Sequence, residues 1–100
     1  MIKRIVKMVF REEEISTFKE LFNEHKEAIR NQPGCVYLEL LQGADDPAVF
    51  FTYSFWESKE FLENYRHSET FGIVWPRTKA LFADKPQAWS VHSSVVVEAG

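Results

Sequence analysis

Residues Val49–Trp56 read VFFTYSFW. Aromatic and β-branched side chains fill almost every position, the composition that suits a pleated, half-buried surface, so the stretch predicts a strand. Just upstream, Cys35–Gln42 (CVYLELLQ) places Val36, Leu38 and Leu40 on one face, and the polar turn residues GADDP separate the two runs. Two strand patterns joined by a short polar loop predict a hairpin. Further upstream, Ile2–Phe10 alternates: Ile2, Val6, Met8 and Phe10 stand on one side, Lys3, Ile5, Lys7 and Val9 on the other.

Helical spacing fills the gaps. REEEIS sets three glutamates at a helix start, where the positive end of the helix dipole favours them. Ile15, Phe18, Leu21, Phe22, Ala28 and Ile29 then form one apolar stripe, which NQPG ends. Beyond the hairpin, Ser58 is placed to cap a short helix carrying Phe61, Leu62 and Tyr65. Ser68 is placed to cap another, with Phe71, Val74, Trp75, Thr78, Leu81 and Phe82 on its stripe. Pro76 lies inside that pattern and predicts a kink or break near Gly72–Pro76. Ala88–Val97 alternates again, with Trp89, Val91, Val95 and Val97 against Ser90, His92 and Ser94.

The order is strand, helix, strand, strand, helix pair, strand. It predicts an α+β, ferredoxin-like βαββαβ fold: a four-stranded antiparallel sheet with helices on one face. The helix-facing side is expected to hold Val6, Met8, Val36, Leu38, Leu40, Phe51, Tyr53, Phe55, Trp89 and Val91. The opposite side would then carry Ile5, Lys7, Val9, Tyr37, Glu39, Leu41, Phe50, Thr52, Ser54, Trp56, Ser90, His92 and Ser94. Each large apolar side chain left in water forgoes roughly 1.5–3 kcal/mol, and Phe50, Trp56, Leu41 and Tyr37 together would forgo much of a small domain's stability. A homodimer pairing this sheet face with its copy is the expected cover; a C-terminal tail folded over it in a monomer is the other solution.

Composition narrows the partners. One hundred residues suit a single domain over residues 1–100. The net charge of −3 argues against nucleic acid or an anionic membrane. Cys35 is the only cysteine, so no internal disulfide forms, which suits a reducing compartment. MIKRIVKMVF lacks the apolar core and cleavage site of a signal peptide, and no run approaches the ~20 apolar residues that cross a bilayer. A cytoplasmic protein is expected. Three scattered histidines and one cysteine show no metal-ligand spacing, and no glycine-rich phosphate loop is present. No metal or cofactor is expected.

PGC before the second strand, ELL within it, FFTYSFWES running from the third strand into a helix, and YRHSETF after it resemble the antibiotic biosynthesis monooxygenase family. The resemblance extends from Ile2 to about Val97, and Trp56–Ser58 followed by SETF is its most specific piece. It implies a dimeric α+β barrel. The family includes oxygenases that oxidise dihydroxylated aromatics without metal or flavin, haem-degrading members and many of unknown role, so the resemblance implies one of these. Quinol-oxidising relatives carry histidines where this chain has Tyr65 and Thr70. Haem-degrading relatives use a Trp, a His and a first-strand Asn where it has Tyr65, Trp75 and Lys7 or a neighbour, so haem degradation is not expected.

Cofactor-free oxygenation needs a base near neutral pKa, a dry pocket and donors for a substrate anion. ENYRHSETFGIVWP, Glu63–Pro76, supplies candidates. His67 is the base by pKa, Tyr65 and Tyr53 orient a substrate hydroxyl, Arg66 holds the anion, Trp75 stacks on an aromatic ring, and His25 lines the pocket. Each has a plainer reading. His67 is a solvated helix-junction residue, Tyr65 and Trp75 are core, Arg66 is a surface charge, and His25 shields the core edge. A cofactor-independent monooxygenase acting on a small aromatic or quinol-type substrate is thus expected. The alternative is a non-catalytic dimeric small-molecule-binding or regulatory module of the same fold.

Overall fold

The computed structural model describes residues 1–100. Strand β1 spans Ile2–Val9, a 3₁₀ turn Glu12–Glu14, helix α1 Ile15–Arg30, β2 Cys35–Gln42 and β3 Val49–Trp56. Helix α2 spans Lys59–Arg66, α3 Glu69–Lys79 and β4 Gln87–Val91. The four strands form one antiparallel sheet in the order β2-β3-β1-β4, the ferredoxin-like arrangement.

Both short helices begin at serine caps. The Phe61 amide donates to Ser58 Oγ at 3.3 Å, and the Phe71 amide donates to Ser68 Oγ at 3.2 Å. Helix α3 is not broken at Pro76; it runs through it. Pro76 cannot donate to Gly72 four residues back, and Gly72 faces open space, where the backbone is free to accommodate the missing bond. The turn after α1 depends on Gly34. Its φ is +82°, and a Cβ there would collide with the Phe61 ring. Its carbonyl accepts the Glu57 amide at 2.8 Å, tying the turn to the end of β3.

The sheet faces differ from the sequence expectation. Met8 pairs with Phe50, Val6 with Thr52, Arg4 with Ser54 and Ile2 with Trp56. Cross-strand partners share a face, so Phe50, Thr52, Ser54 and Trp56 point toward the helices. Phe51, Tyr53 and Phe55 point away. Arg4 pairs with Ser90 and Ile5 with Trp89, which places Trp89 and Val91 on the open face too. The physical reason lies in β3. It is aromatic at both parities, so side-chain size alone cannot choose its inner face; register against β1 does. Strand β4 also ends at Val91 rather than Val97. Val91 already pairs with Lys3, one residue from the start of β1, so later residues have no partner strand, and Val95, Val96 and Val97 are exposed.

The core falls into two clusters, Met8–Phe10–Phe18–Phe50 and Cys35–Trp56–Leu62. Only 12 residues are buried in the single chain, a thin core that leaves the open face uncovered.

Candidate functional site

The gap between the two core clusters is a cavity of about 230 Å³. Met8 and Phe18 wall it from one cluster, Trp56 and Leu62 from the other. The sheet floor carries Thr52, Ser54 and Ala88, small side chains at inward positions of β3 and β4. A larger residue at any of these positions would take up the space. The helices supply the roof: Tyr65 and Arg66 from α2, and Phe71, Val74, Trp75 and Thr78 from α3.

Aromatic rings run along the site in contact. Trp56 stacks on Tyr65 at 5.0 Å, Tyr65 meets Phe71 edge-on at 5.3 Å, and Phe71 stacks on Trp75 at 5.8 Å. Trp75 then meets Phe82 at 5.7 Å. Such pairs add packing energy beyond the area they bury and hold a flat-sided apolar wall. Two of the hydroxyls on the floor and roof, Ser54 and Thr78, are tied up within the chain. Trp56 Nε1 donates to Ser54 Oγ at 3.0 Å, and Thr78 Oγ1 donates to the Val74 carbonyl at 2.8 Å.

Two groups carry the electrostatics. Burial, and secondarily Cys35, pushes the Tyr65 phenol up to about 12. It therefore stays protonated, a hydrogen-bond donor and not a base. Arg4 and Arg66 are the only charged residues on the wall. Burial, then repulsion from Arg66, lowers Arg4 from the ordinary arginine value, while Glu63 acts in the opposite sense. Arg4 nonetheless remains a cation. Arg4 Nη1 donates to Ser90 Oγ at 3.0 Å. Arg66 Nη1 donates to Glu63 Oε2 at 3.3 Å on the solvent side.

The six candidate side chains divide evenly between cavity and elsewhere. Tyr65, Trp75 and Arg66 line the cavity. Tyr53 lies on the opposite sheet face, edge-on to Tyr37 at 6.2 Å and to Phe55 at 5.0 Å. His67 is the C-terminal cap of α2, with its side chain 75% exposed and its Nδ1 2.9 Å from the Glu63 carbonyl. His25 sits on α1 with Nδ1 3.0 Å from the Leu21 carbonyl and does not reach the cavity. Arg4 lines the cavity as well, and its signal in the sequence is its phase with Ile2, Val6 and Met8, a charge in the inward register of a strand. No group of three or more His, Cys, Asp or Glu side chains is placed to hold a metal ion.

A ferredoxin-like α+β domain with an aromatic cavity between sheet and helices defines the class of protein. The model of the antibiotic biosynthesis monooxygenase family matches residues 1–72, and the chain belongs to that family. The solved structure of an antibiotic biosynthesis monooxygenase superposes with a TM-score of 0.89 at 22% identity, covering 95% of this chain and 100% of that one. A conserved protein from Methanosarcina mazei gives 0.89 at 16% identity, covering 93% and 92%. A mutant of SnoaB, a cofactor-independent oxygenase from Streptomyces nogalater, gives 0.86 at 13% identity, covering 98% and 97%. At these identities the likeness speaks for the fold alone. No curated protein matches the sequence. No helix is long and apolar enough to cross a membrane.

Proposed function

We propose that this chain is a cofactor-independent monooxygenase of a small aromatic or quinol-type substrate, working as a homodimer joined through the open sheet face in a reducing, cytoplasmic setting. The observation that carries the reading is the cavity itself. It combines a stacked aromatic wall with two guanidinium groups and a protonated phenol. At about 230 Å³ it is somewhat below the roughly 300–1,000 Å³ of common small-molecule sites, which favours a small ring system. The ring would lie against Trp75 and Phe71, and Arg4, Arg66 and Tyr65 would stabilise charge on its oxygen.

The chemistry uses electrons from the substrate. A phenol loses its proton, and its anion passes one electron to dioxygen. The resulting radical and superoxide combine to form a carbon–oxygen bond. The peroxide then loses the proton on that carbon, its O–O bond breaks, and a quinone and one water leave. A phenol and one dioxygen thus give a quinone and one water. The arginines lower the cost of the first ionisation, and the phenolic proton passes to water at the cavity mouth.

A non-catalytic binding or regulatory module is the second reading, favoured by one observation: no carboxylate or imidazole lines the cavity. Oxygen uptake with a panel of benzo- and naphthohydroquinones and naphthols separates the two. The enzyme reading expects uptake above the rate of autoxidation, reduced about tenfold or more in Tyr65→Phe or Arg66→Gln, the scale of losing one donor to a developing anion. Compounds that bind yet give only the autoxidation rate would leave the module.

A further inference from the structure

Arg4 is a cation on the inward face of a central strand, between Ile2 and Val6. Charges in such positions are normally paired or multiply hydrogen-bonded, because desolvation is costly. Arg4 makes one side-chain hydrogen bond, to the neutral Ser90 Oγ, and no carboxylate lies within ion-pair distance of it. A guanidinium carries five N–H donors, and the chain itself uses one of them, leaving the others to solvent or a ligand. A second guanidinium, Arg66, lines the same cavity. Its partner Glu63 is itself 53% exposed, and a solvent-facing pair of this kind neutralises little. The two cations repel one another. Two like charges beside one apolar cavity, in a chain whose net charge is −3, make that wall locally positive and attractive to an anion.

We propose that Arg4 and Arg66 form an anion subsite at the polar end of the cavity, and that the natural ligand is a small aromatic acid whose anionic oxygens both guanidiniums engage while its ring lies against Phe71 and Trp75. Planar N–H forks recognise a carboxylate, or an ionised phenol beside a carbonyl, through paired charge-assisted hydrogen bonds. The Tyr65 hydroxyl, protonated at every physiological pH, is the nearby neutral donor. This inference deepens the proposed function by naming the charge of the ligand, but its test reads binding and not turnover, so either can fail alone.

The probes are 1-hydroxy-2-naphthoate and its methyl ester, titrated by calorimetry under anaerobic conditions, with 2-naphthol as an acid-free ring. The wild-type chain binds the carboxylate about tenfold or more tightly than the ester, the scale expected for a charge-assisted contact. That ratio falls toward one in Arg4→Gln and in Arg66→Gln. In Arg77→Gln, which removes a cation outside the cavity, it stays at the wild-type value. Raising the salt concentration lowers the carboxylate affinity more than the ester affinity. Because the ratio is measured within each variant, a general loss of stability does not mimic the result. Equal affinity for acid and ester in the wild type would overturn the proposal, as would a ratio that survives both arginine substitutions or falls equally in Arg77→Gln.

Discussion

The Tyr65 phenol stacks on Trp56 at 5.0 Å, and burial pushes its pKa from 10.0 up to about 12. That shift has a consequence for stability. In the unfolded chain the phenol ionises from about pH 10; in the fold it holds its proton until about pH 12. The stabilisation is fully present below pH 10 and is lost as the pH rises toward 12. Two pKa units correspond to roughly 2–3 kcal/mol. Urea unfolding of wild type and Tyr65→Phe at about pH 9, 10 and 11 checks this, because other titrating groups are common to both. The wild type should lose more stability than Tyr65→Phe over that range; parallel curves would contradict it. Among the candidate residues, helical spacing predicts the inward placement of Tyr65 and Trp75 on the stripes of α2 and α3, whereas Arg66, which that spacing turns away from the stripe, lines the cavity all the same. Tyr53 was misplaced because its strand is aromatic at both parities. His67 drew attention for its chemistry, although a residue just before a capping serine belongs to a junction. Arg4 breaks the otherwise apolar run Ile2–Val6–Met8 on the inward face of β1, and a charge there is visible only once the strand's parity is followed through every residue.

Helix α3 carries Phe71 and Trp75 into the cavity although it contains both Gly72 and Pro76. Each weakens a helix interior, so the Ser68 cap is a larger share of what holds α3. Ser68→Ala should cost about 1 kcal/mol in chemical denaturation and should weaken 2-naphthol binding, since fraying of the first turn releases Phe71. A cap that matters only to the helix would lower stability and leave that affinity unchanged. At this level most of the structure was readable: seven strands and helices, two serine caps and the hairpin follow from periodicity and turn chemistry. The end of β4 was not, because alternation continues to Val97 while the partner strand does not. Where a strand stops depends on its neighbour's length, and no local pattern in Gln87–Val97 records that.

Seen whole, the molecule leaves one sheet face bare, and that face is more apolar than the sequence suggested. Ile5, Val9, Leu41, Phe51, Tyr53, Phe55, Trp89 and Val91 lie on it, with Trp89 44% and Leu41 40% exposed. Placing Thr52, Ser54 and Ala88 inward makes room for the cavity and sends the larger rings outward. The open cavity and the greasy outer face therefore come from one register choice. If a second copy covers that face, Phe55→Arg should weaken the dimer by at least tenfold in sedimentation at micromolar concentration. It removes the Lys3 contact, 4.6 Å from the ring, sets two cations side by side, and acts twice in a two-fold interface. Wild-type chains that sediment singly would end the dimer model. The cavity wall has a last implication. Its ionisable members are two arginines and one high-pKa phenol, so nothing on it changes charge around neutrality. Acid–base behaviour in the site is then a property of whatever occupies it: exchange one guest for a more acidic one, and the pH dependence of its binding should slide toward lower pH by the difference between the two guests.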